Sequence, residues 1–379
     1  MFSKKYYIMT PGPTEIPLEI LNAITSEEAN LPNYQEIYEE DVKLIEKLLN
    51  VKGKTVIMGG GSTVGLEAVI STFIKKDSKV LVLSAGYFGD ILENLVRYYS
   101  GNVYVIREKQ GKIPGLDRIE DFLRRNSDLE YVVLAHCETS AGTMFNISEI
   151  TKIVRENSNA RIIVDAVSTA GAIPLSVGGE KGIDAVVFGS QKVLNMPPGL
   201  AIVALSENIV ENMEKIVARG FYLNLKVWLD FWENKRRLPS TPPVNLLYGL
   251  KIAVSRILKE GLENVFRRHV YVSSVLRRIL KTMGLRVVAE SDEIASPTVT
   301  VAYVPSNVSS EKVVNDLWRN YGILISKALG EISEKAIRIG HMGVSATLDH
   351  IFTVTYGLTK TLQSYGFKID LSNVLAAFF

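Results

Sequence analysis

The run Arg161-Ile162-Ile163-Val164-Asp165-Ala166-Val167 and, beyond it, Asp184-Ala185-Val186-Val187-Phe188-Gly189-Ser190-Gln191-Lys192 decide how this chain is read. Both are short, apolar and rich in β-branched residues, the pattern of strands buried on both faces. One ionisable residue closes each, Asp165 in the first and Lys192 in the second, 27 positions apart. In an open α/β sheet, successive strands tend to lie side by side and present their carboxyl ends to one crevice. A carboxylate and an amine delivered there suit a pyridoxal phosphate enzyme, with the lysine as Schiff base and the aspartate against the pyridinium nitrogen. The plainer alternative is a structural salt bridge between two strand ends. Val167 follows Asp165 at period two and so shares its face, where it can press on a flat ring. Ser190 and Gln191 stand beside the lysine, where phosphate or phenolate oxygens would lie.

Outward from this pair, strand and helix patterns alternate from about residue 40 to 205. Strands are expected at 55–58, 79–84, 102–107, 130–136 and 199–206, with helices at 41–49, 63–74, 88–99, 115–125 and 147–157. This alternation predicts an α/β fold with a mostly parallel sheet covered by helices on both faces. After Asn208 the pattern changes: an aromatic and basic region at 221–237 leads into Leu238-Pro239-Ser240-Thr241-Pro242-Pro243, which breaks any helix. Helices at 244–260, 262–283, 310–321 and 348–365 then mix with strands at 285–289, 297–304 and 335–340. The division expected is an N-terminal arm (1–15), a large domain (16–255) and a smaller α+β domain (256–379). The apolar tail at 374–379 is too short to span a bilayer and is expected to dock on a neighbouring surface.

With 47% hydrophobic and 22% charged residues, the 379-residue chain can bury a full core. Its 43 basic and 41 acidic residues leave a net charge of +2, which argues against a nucleic-acid binder working through its global field. A single cysteine, Cys137, excludes an internal disulfide and a cysteine-based metal cluster. No membrane span and no signal-peptide pattern is read, so the cytoplasm is the expected compartment.

Other segments add polar chemistry at strand ends. Gly59-Gly60-Gly61-Ser62-Thr63 precedes a helix, where close backbone approach and unpaired N–H groups suit an anion; a capped glycine turn fits equally. Gly86-Tyr87-Phe88-Gly89 offers an aromatic ring for stacking or for the core. In His136-Cys137-Glu138-Thr139-Ser140-Ala141-Gly142, Thr139 or Ser140 can donate to a phenolic oxygen or cap a turn, and His136 and Cys137 are read as packing residues. Arg338-Ile339-Gly340-His341-Met342-Gly343 carries a guanidinium able to clasp a carboxylate with two parallel hydrogen bonds.

Together with Pro11-Gly12-Pro13-Thr14 and Thr241-Pro242-Pro243-Val244, these segments resemble the class V aminotransferases of the fold-type I pyridoxal phosphate enzymes, and within them the alanine–glyoxylate and serine–pyruvate group. The likeness runs in family order along nearly the whole chain. Asp165-Ala166-Val167-Ser168 and Gly189-Ser190-Gln191-Lys192 are its specific blocks. The resemblance implies a large domain and a smaller C-terminal one, with Lys192 carrying the coenzyme and Asp165 holding its ring nitrogen. It implies that Val167 and Phe88 sandwich the ring, that Thr139 lies by its oxygen substituent, and that Gly61, Ser62, Thr63 and Gln191 form the phosphate site. Thr241 would reach the phosphate of a neighbouring subunit in a homodimer with shared sites, and Arg338 would bind the substrate carboxylate. The expected reaction moves an amino group from alanine or serine to glyoxylate or pyruvate.

Four positions depart from the family pattern: Ser62 stands for a glycine, Ile91 for an arginine, Leu238 for a tyrosine, and Asn33-Tyr34 for a His-Arg pair. They leave the coenzyme chemistry intact and bear on the substrate, with aspartate or another donor as the alternative. A cysteine desulfurase would need a reactive cysteine late in the chain, and Cys137 lies in the first half. A nucleotide-binding α/β protein using the Gly59–Gly61 loop without a covalent cofactor is the rival from a different class.

Overall fold

The computed structural model describes residues 6–30, 34–180, 182–213, 216 and 219–379. Asn33, half of the Asn33-Tyr34 pair, falls outside them. The strands in chain order are β1 (Tyr7–Ile8), β2 (Gly53–Gly59), β3 (Lys79–Ser84), β4 (Asn102–Arg107), β5 (Tyr131–Ala135), β6 (Cys137–Glu138) and β7 (Thr143–Met144). They continue with β8 (Arg161–Asp165), β9 (Ala185–Gly189), β10 (Leu200–Ser206), β11 (Val299–Tyr303), β12 (Ile323–Leu324), β13 (Ser326–Lys327) and β14 (Ala336–Gly340).

Seven of them form the central sheet in the order β2-β10-β9-β8-β5-β3-β4. Its interior strands are apolar along their length because helices cover both faces: β9 and β10 are buried at every residue. The covering helices show their buried stripes at helical spacing, as in Leu116–Arg125, which buries Ile119 and Leu123. Asn146 starts the helix Ile147–Asn157 by accepting from Glu149 N. Within the otherwise parallel sheet, β10 runs antiparallel to both β2 and β9. The short connection from Ser190 to Gly199 cannot house the crossover that a parallel return requires, so the chain doubles back directly.

The decisive pair of strands does lie side by side. β8 and β9 pair in parallel with Ile163 opposite Ala185 and Asp165 opposite Val187. Their opposite ends are clamped by Asp184, a buried carboxylate that accepts from Ile162 N at 2.8 Å and from Arg155 Nη2 at 2.6 Å. The clamp sets the register of the two tips.

Beyond the central sheet, β11, β14 and β13 form an antiparallel three-stranded sheet. The N-terminal arm joins this part of the molecule: β1 pairs in parallel with β12, and Gly340 N donates to Met9 O at 2.7 Å. One hydrophobic cluster runs from Ile20 to Val265 with Met342, and a second gathers Met9 with residues from Val272 to Phe378. The helix Leu262–Thr282 therefore feeds both. The C-terminal tail docks as expected, in a short helix Leu371–Ala376 with Val374 and Phe378 buried in the second cluster. Two expectations change. The stretch 285–289 is no strand: Val288 N reaches Val301 O at 2.8 Å, but Glu290 N is drawn away to Gly111 O after a single bridge at Val287. Within 221–237, a helix forms at Leu225–Lys235, started by the Asn224 side chain and burying Leu225, Trp228 and Leu229.

Candidate active site

Asp165 ends β8 and Lys192 stands in the turn after β9, so strand pairing carries both to one end of the sheet. Asp165 Oδ1 accepts from Val167 N at 2.9 Å, which folds the chain so that Val167 stands beside the carboxylate. Burial pushes the Asp165 carboxyl up to about 6, against the opposing pull of that N–H and of the Lys192 ammonium. Burial also pushes the Lys192 amine down to about 8; the Arg338 guanidinium adds to this and Asp165 opposes it. The two groups feel each other without closing into an ion pair, and Lys192 Nζ donates instead to the Pro11 carbonyl. Gly12 is required here, because its φ of +113° is left-handed and a Cβ would collide with the Lys192 side chain.

Arg338 sits in β14 between β11 and β13, half-buried, with Nε donating to Lys327 O at 2.7 Å. That bond leaves both Nη groups for an anion. Burial lowers the guanidinium to about 10, and Glu138 opposes the shift.

At the end of β2, the chain turns through Gly59–Gly61 into the 12-residue helix Ser62–Phe73. No side chain caps this helix, and with Val64 N already bonded to Gly61 O at 2.8 Å, the N–H groups of Ser62 and Thr63 remain for an external acceptor. The position where a Gly61 side chain would stand is open for 4 Å. Beside it, Gln191 Oε1 is buried with no partner among the described residues, next to Gly189 and close to Ser62. Turned by half a rotation, the same amide presents Nε2–H to an anion. Open space, free helix N–H groups and an orphaned amide end suit a phosphate.

A sequence model of the family described as aminotransferase class-V matches residues 7–348. The chain belongs to the class-V aminotransferases. An uncharacterised aminotransferase of Methanocaldococcus jannaschii is 32% identical over 98% of this chain and 97% of its own. A serine–glyoxylate aminotransferase of Methylorubrum extorquens is 29% identical, covering 98% and 94% respectively. Among solved structures, the pyridoxamine–pyruvate aminotransferase of Mesorhizobium loti superposes with a TM-score of 0.93 at 29% identity, over 99% of this chain and 96% of that one. The α/β fold-type I architecture read from the sequence is the one observed.

In this aminotransferase, Asp165, Lys192 and Arg338 share one electrostatic neighbourhood, with Val167 held at the carboxylate. Ser62 and Thr63 open the helix beside Gln191, with Ser62 half-buried and Thr63 exposed. Phe88 is half-buried at the start of the helix Tyr87–Tyr99, and Thr139 is buried in the turn between β6 and β7. Thr241 does not join them: it is exposed on its loop, although Pro243 nearby packs at Gly59. Of the departures, Leu238 is buried with its N–H donating to Tyr34 Oη at 3.1 Å, and Ile91 is 40% exposed.

Two contributions went unread in the sequence. Glu138, 1% exposed, accepts from Phe88 N at 2.9 Å, Gly89 N at 3.0 Å and Ser140 N at 3.0 Å, fixing the loop that carries the Phe88 ring. Burial raises its carboxyl, and the three N–H groups oppose that. An acidic residue inside an otherwise buried strand end was the available signal, since such a group must find donors, and a helix start supplies them. Pro11 and Gly12, in the turn that ends the N-terminal arm, border Lys192, a contact that no local pattern in the sequence signals. Cys137 is buried, donates to Ser296 Oγ at 3.1 Å and is pushed up to about 12 by burial, the reverse of a reactive thiolate.

Proposed function

We propose that this aminotransferase uses pyridoxal 5'-phosphate to move an amino group from alanine or serine to glyoxylate or pyruvate, working in the cytoplasm as a homodimer whose sites are shared. The carrying observation is the pair of half-buried groups, Asp165 and Lys192, at adjacent strand tips, close enough to shift each other and yet unpaired. The phosphate cradle at Gly61, Ser62, Thr63 and Gln191 supports the phosphorylated coenzyme. The relatives' serine, glyoxylate and pyruvate chemistry supports the substrate class. When bound, the coenzyme supplies an electron sink for the pair left on the substrate α-carbon.

The remaining steps belong to this chain. Lys192 would hold the coenzyme until the substrate amine takes its place, and the freed amine, brought down to about 8 by burial, is basic enough to take a proton and neutral often enough to act. Asp165 Oδ1 is committed to Val167 N, which leaves Oδ2 for the ring nitrogen. Arg338 holds the substrate carboxylate through its Nη groups, and that orientation turns the α-hydrogen towards Lys192 Nζ. Lys192 Nζ would remove the α-proton, hold it, and deliver it on the coenzyme side of the amino nitrogen. Val167 and Phe88 would hold the coenzyme ring between them. Thr241, exposed on its loop, would serve the neighbouring subunit's phosphate site.

A half-reaction screen tests the substrate assignment. The yellow holoprotein is mixed with single amino acids and loss of the yellow band is followed. Alanine and serine are expected to discharge the colour fastest. Faster discharge by aspartate would overturn the small-donor assignment, and no discharge by any amino acid would overturn the transaminase reading of this site.

A further inference from the structure

Asn195, three residues beyond Lys192, is buried and adopts φ +54°, a left-handed conformation that asparagine tolerates better than most residues. Its side chain joins three separate segments. Nδ2 donates to Thr14 Oγ1 at 3.0 Å, and that hydroxyl donates on to Lys192 O at 2.8 Å. Oδ1 accepts from Val344 N at 2.8 Å. Asn195 N also bonds Lys192 O at 2.9 Å, so the lysine carbonyl is held from two directions.

Val344 stands in the turn that follows β14, six residues beyond Arg338. Gly343, left-handed at φ +63°, lies so close to Asn195 Oδ1 that a Cβ there would collide with it. His269 Nε2 accepts from Gly343 N at 3.0 Å and Arg268 Nη1 donates to Gly343 O at 2.8 Å, so the turn itself is rigid. The adjoining Met342 is buried in the large cluster. A strand that carries the substrate-binding guanidinium thus ends in a stiff turn, and a single amide pins that turn to the loop carrying the amine.

We propose that Asn195 is a positioning residue that sets the spacing between Lys192 and Arg338, and so makes the site selective for amines bearing a carboxylate. The inference rests on the roles proposed for those two residues. Its action is indirect, through the lysine-loop carbonyl on one side and the Val344 turn on the other. A misplacement of about 1 Å between reacting groups costs about a hundredfold in rate, so modest loosening is measurable.

The test compares half-reaction rates of yellow holoenzyme with L-alanine and with ethylamine, which has no carboxylate to clasp. Asn195→Gly keeps the left-handed backbone and deletes the amide; Asn195→Asp keeps the acceptor for Val344 N and loses the donor to Thr14. In Asn195→Gly the alanine-to-ethylamine rate ratio is expected to fall about tenfold or more, chiefly through the alanine KM, and in Asn195→Asp by a smaller factor. Equal losses for both amines would mean general structural damage and would overturn the proposal, as would an unchanged ratio. Should Asn195→Gly not fold, the Asn195→Asp ratio decides alone. Arg338→Gln separates the levels: if it leaves the ratio unchanged, the role given to Arg338 falls and this inference with it. If Arg338→Gln lowers the ratio while the Asn195 variants do not, only the inference falls.

Discussion

The chemistry of Lys192 depends on which charges face it. Burial lowers its amine first, and the Arg338 guanidinium second, to about 8. Only the neutral amine attacks a carbonyl, so capture of the coenzyme by apoprotein is expected to rise about tenfold per pH unit below that value and to level off above it. Removing the neighbouring positive charge must raise the amine's pKa, so Arg338→Gln is expected to move the break to higher pH. Stopped-flow measurement of yellow-band formation from pH 6 to 10 checks both; a break that stays in place or falls in Arg338→Gln would contradict the electrostatic account. Asp165 and Lys192 were legible because each is the lone ionisable residue at the end of an apolar run, where a charge needs a reason. Glu138 and Asn195 were not, because their partners are backbone N–H groups contributed by segments distant in sequence, Phe88 and Gly89 in one case and Val344 in the other.

At the scale of elements, periodicity located most helices and strands to within a residue or two, since buried strands and amphipathic helices carry their pattern locally. The helices Ile147–Asn157 and Ser310–Tyr321 and the strand Asn102–Arg107 fall where they were expected. Direction and partnership were less accessible. That β10 runs antiparallel follows from a connection length, and that β1 pairs with β12 depends on a contact across more than 300 residues. The register of β8 and β9, on which the site depends, is held at the far end by Asp184 with Arg155 and Ile162 N. Asp184→Ala leaves a half-buried guanidinium and a strand N–H without their acceptor, and is expected to cost about 3 kcal/mol. Urea unfolding monitored by circular dichroism measures it; a loss below about 1 kcal/mol would show that the clamp contributes little.

Across the whole molecule, strand ends of the central sheet supply Asp165, Lys192 and the residues proposed to cradle a phosphate, while β14 in the smaller sheet supplies Arg338. The site therefore needs both parts, joined by the helix Leu262–Thr282, the arm at Met9–Thr14 and the Asn195 amide. No helix among the described residues is long and apolar enough to cross a membrane. Central to the proposal is that one amine and one carboxylate, brought together by parallel pairing of β8 and β9, would grip a single coenzyme. Lys192→Ala tests this most directly. The purified variant, shown by circular dichroism to be folded, is incubated with pyridoxal phosphate and dialysed. The account predicts a colourless protein without transaminase turnover. A Lys192→Ala protein that keeps a dialysis-resistant yellow band and parental turnover would contradict it.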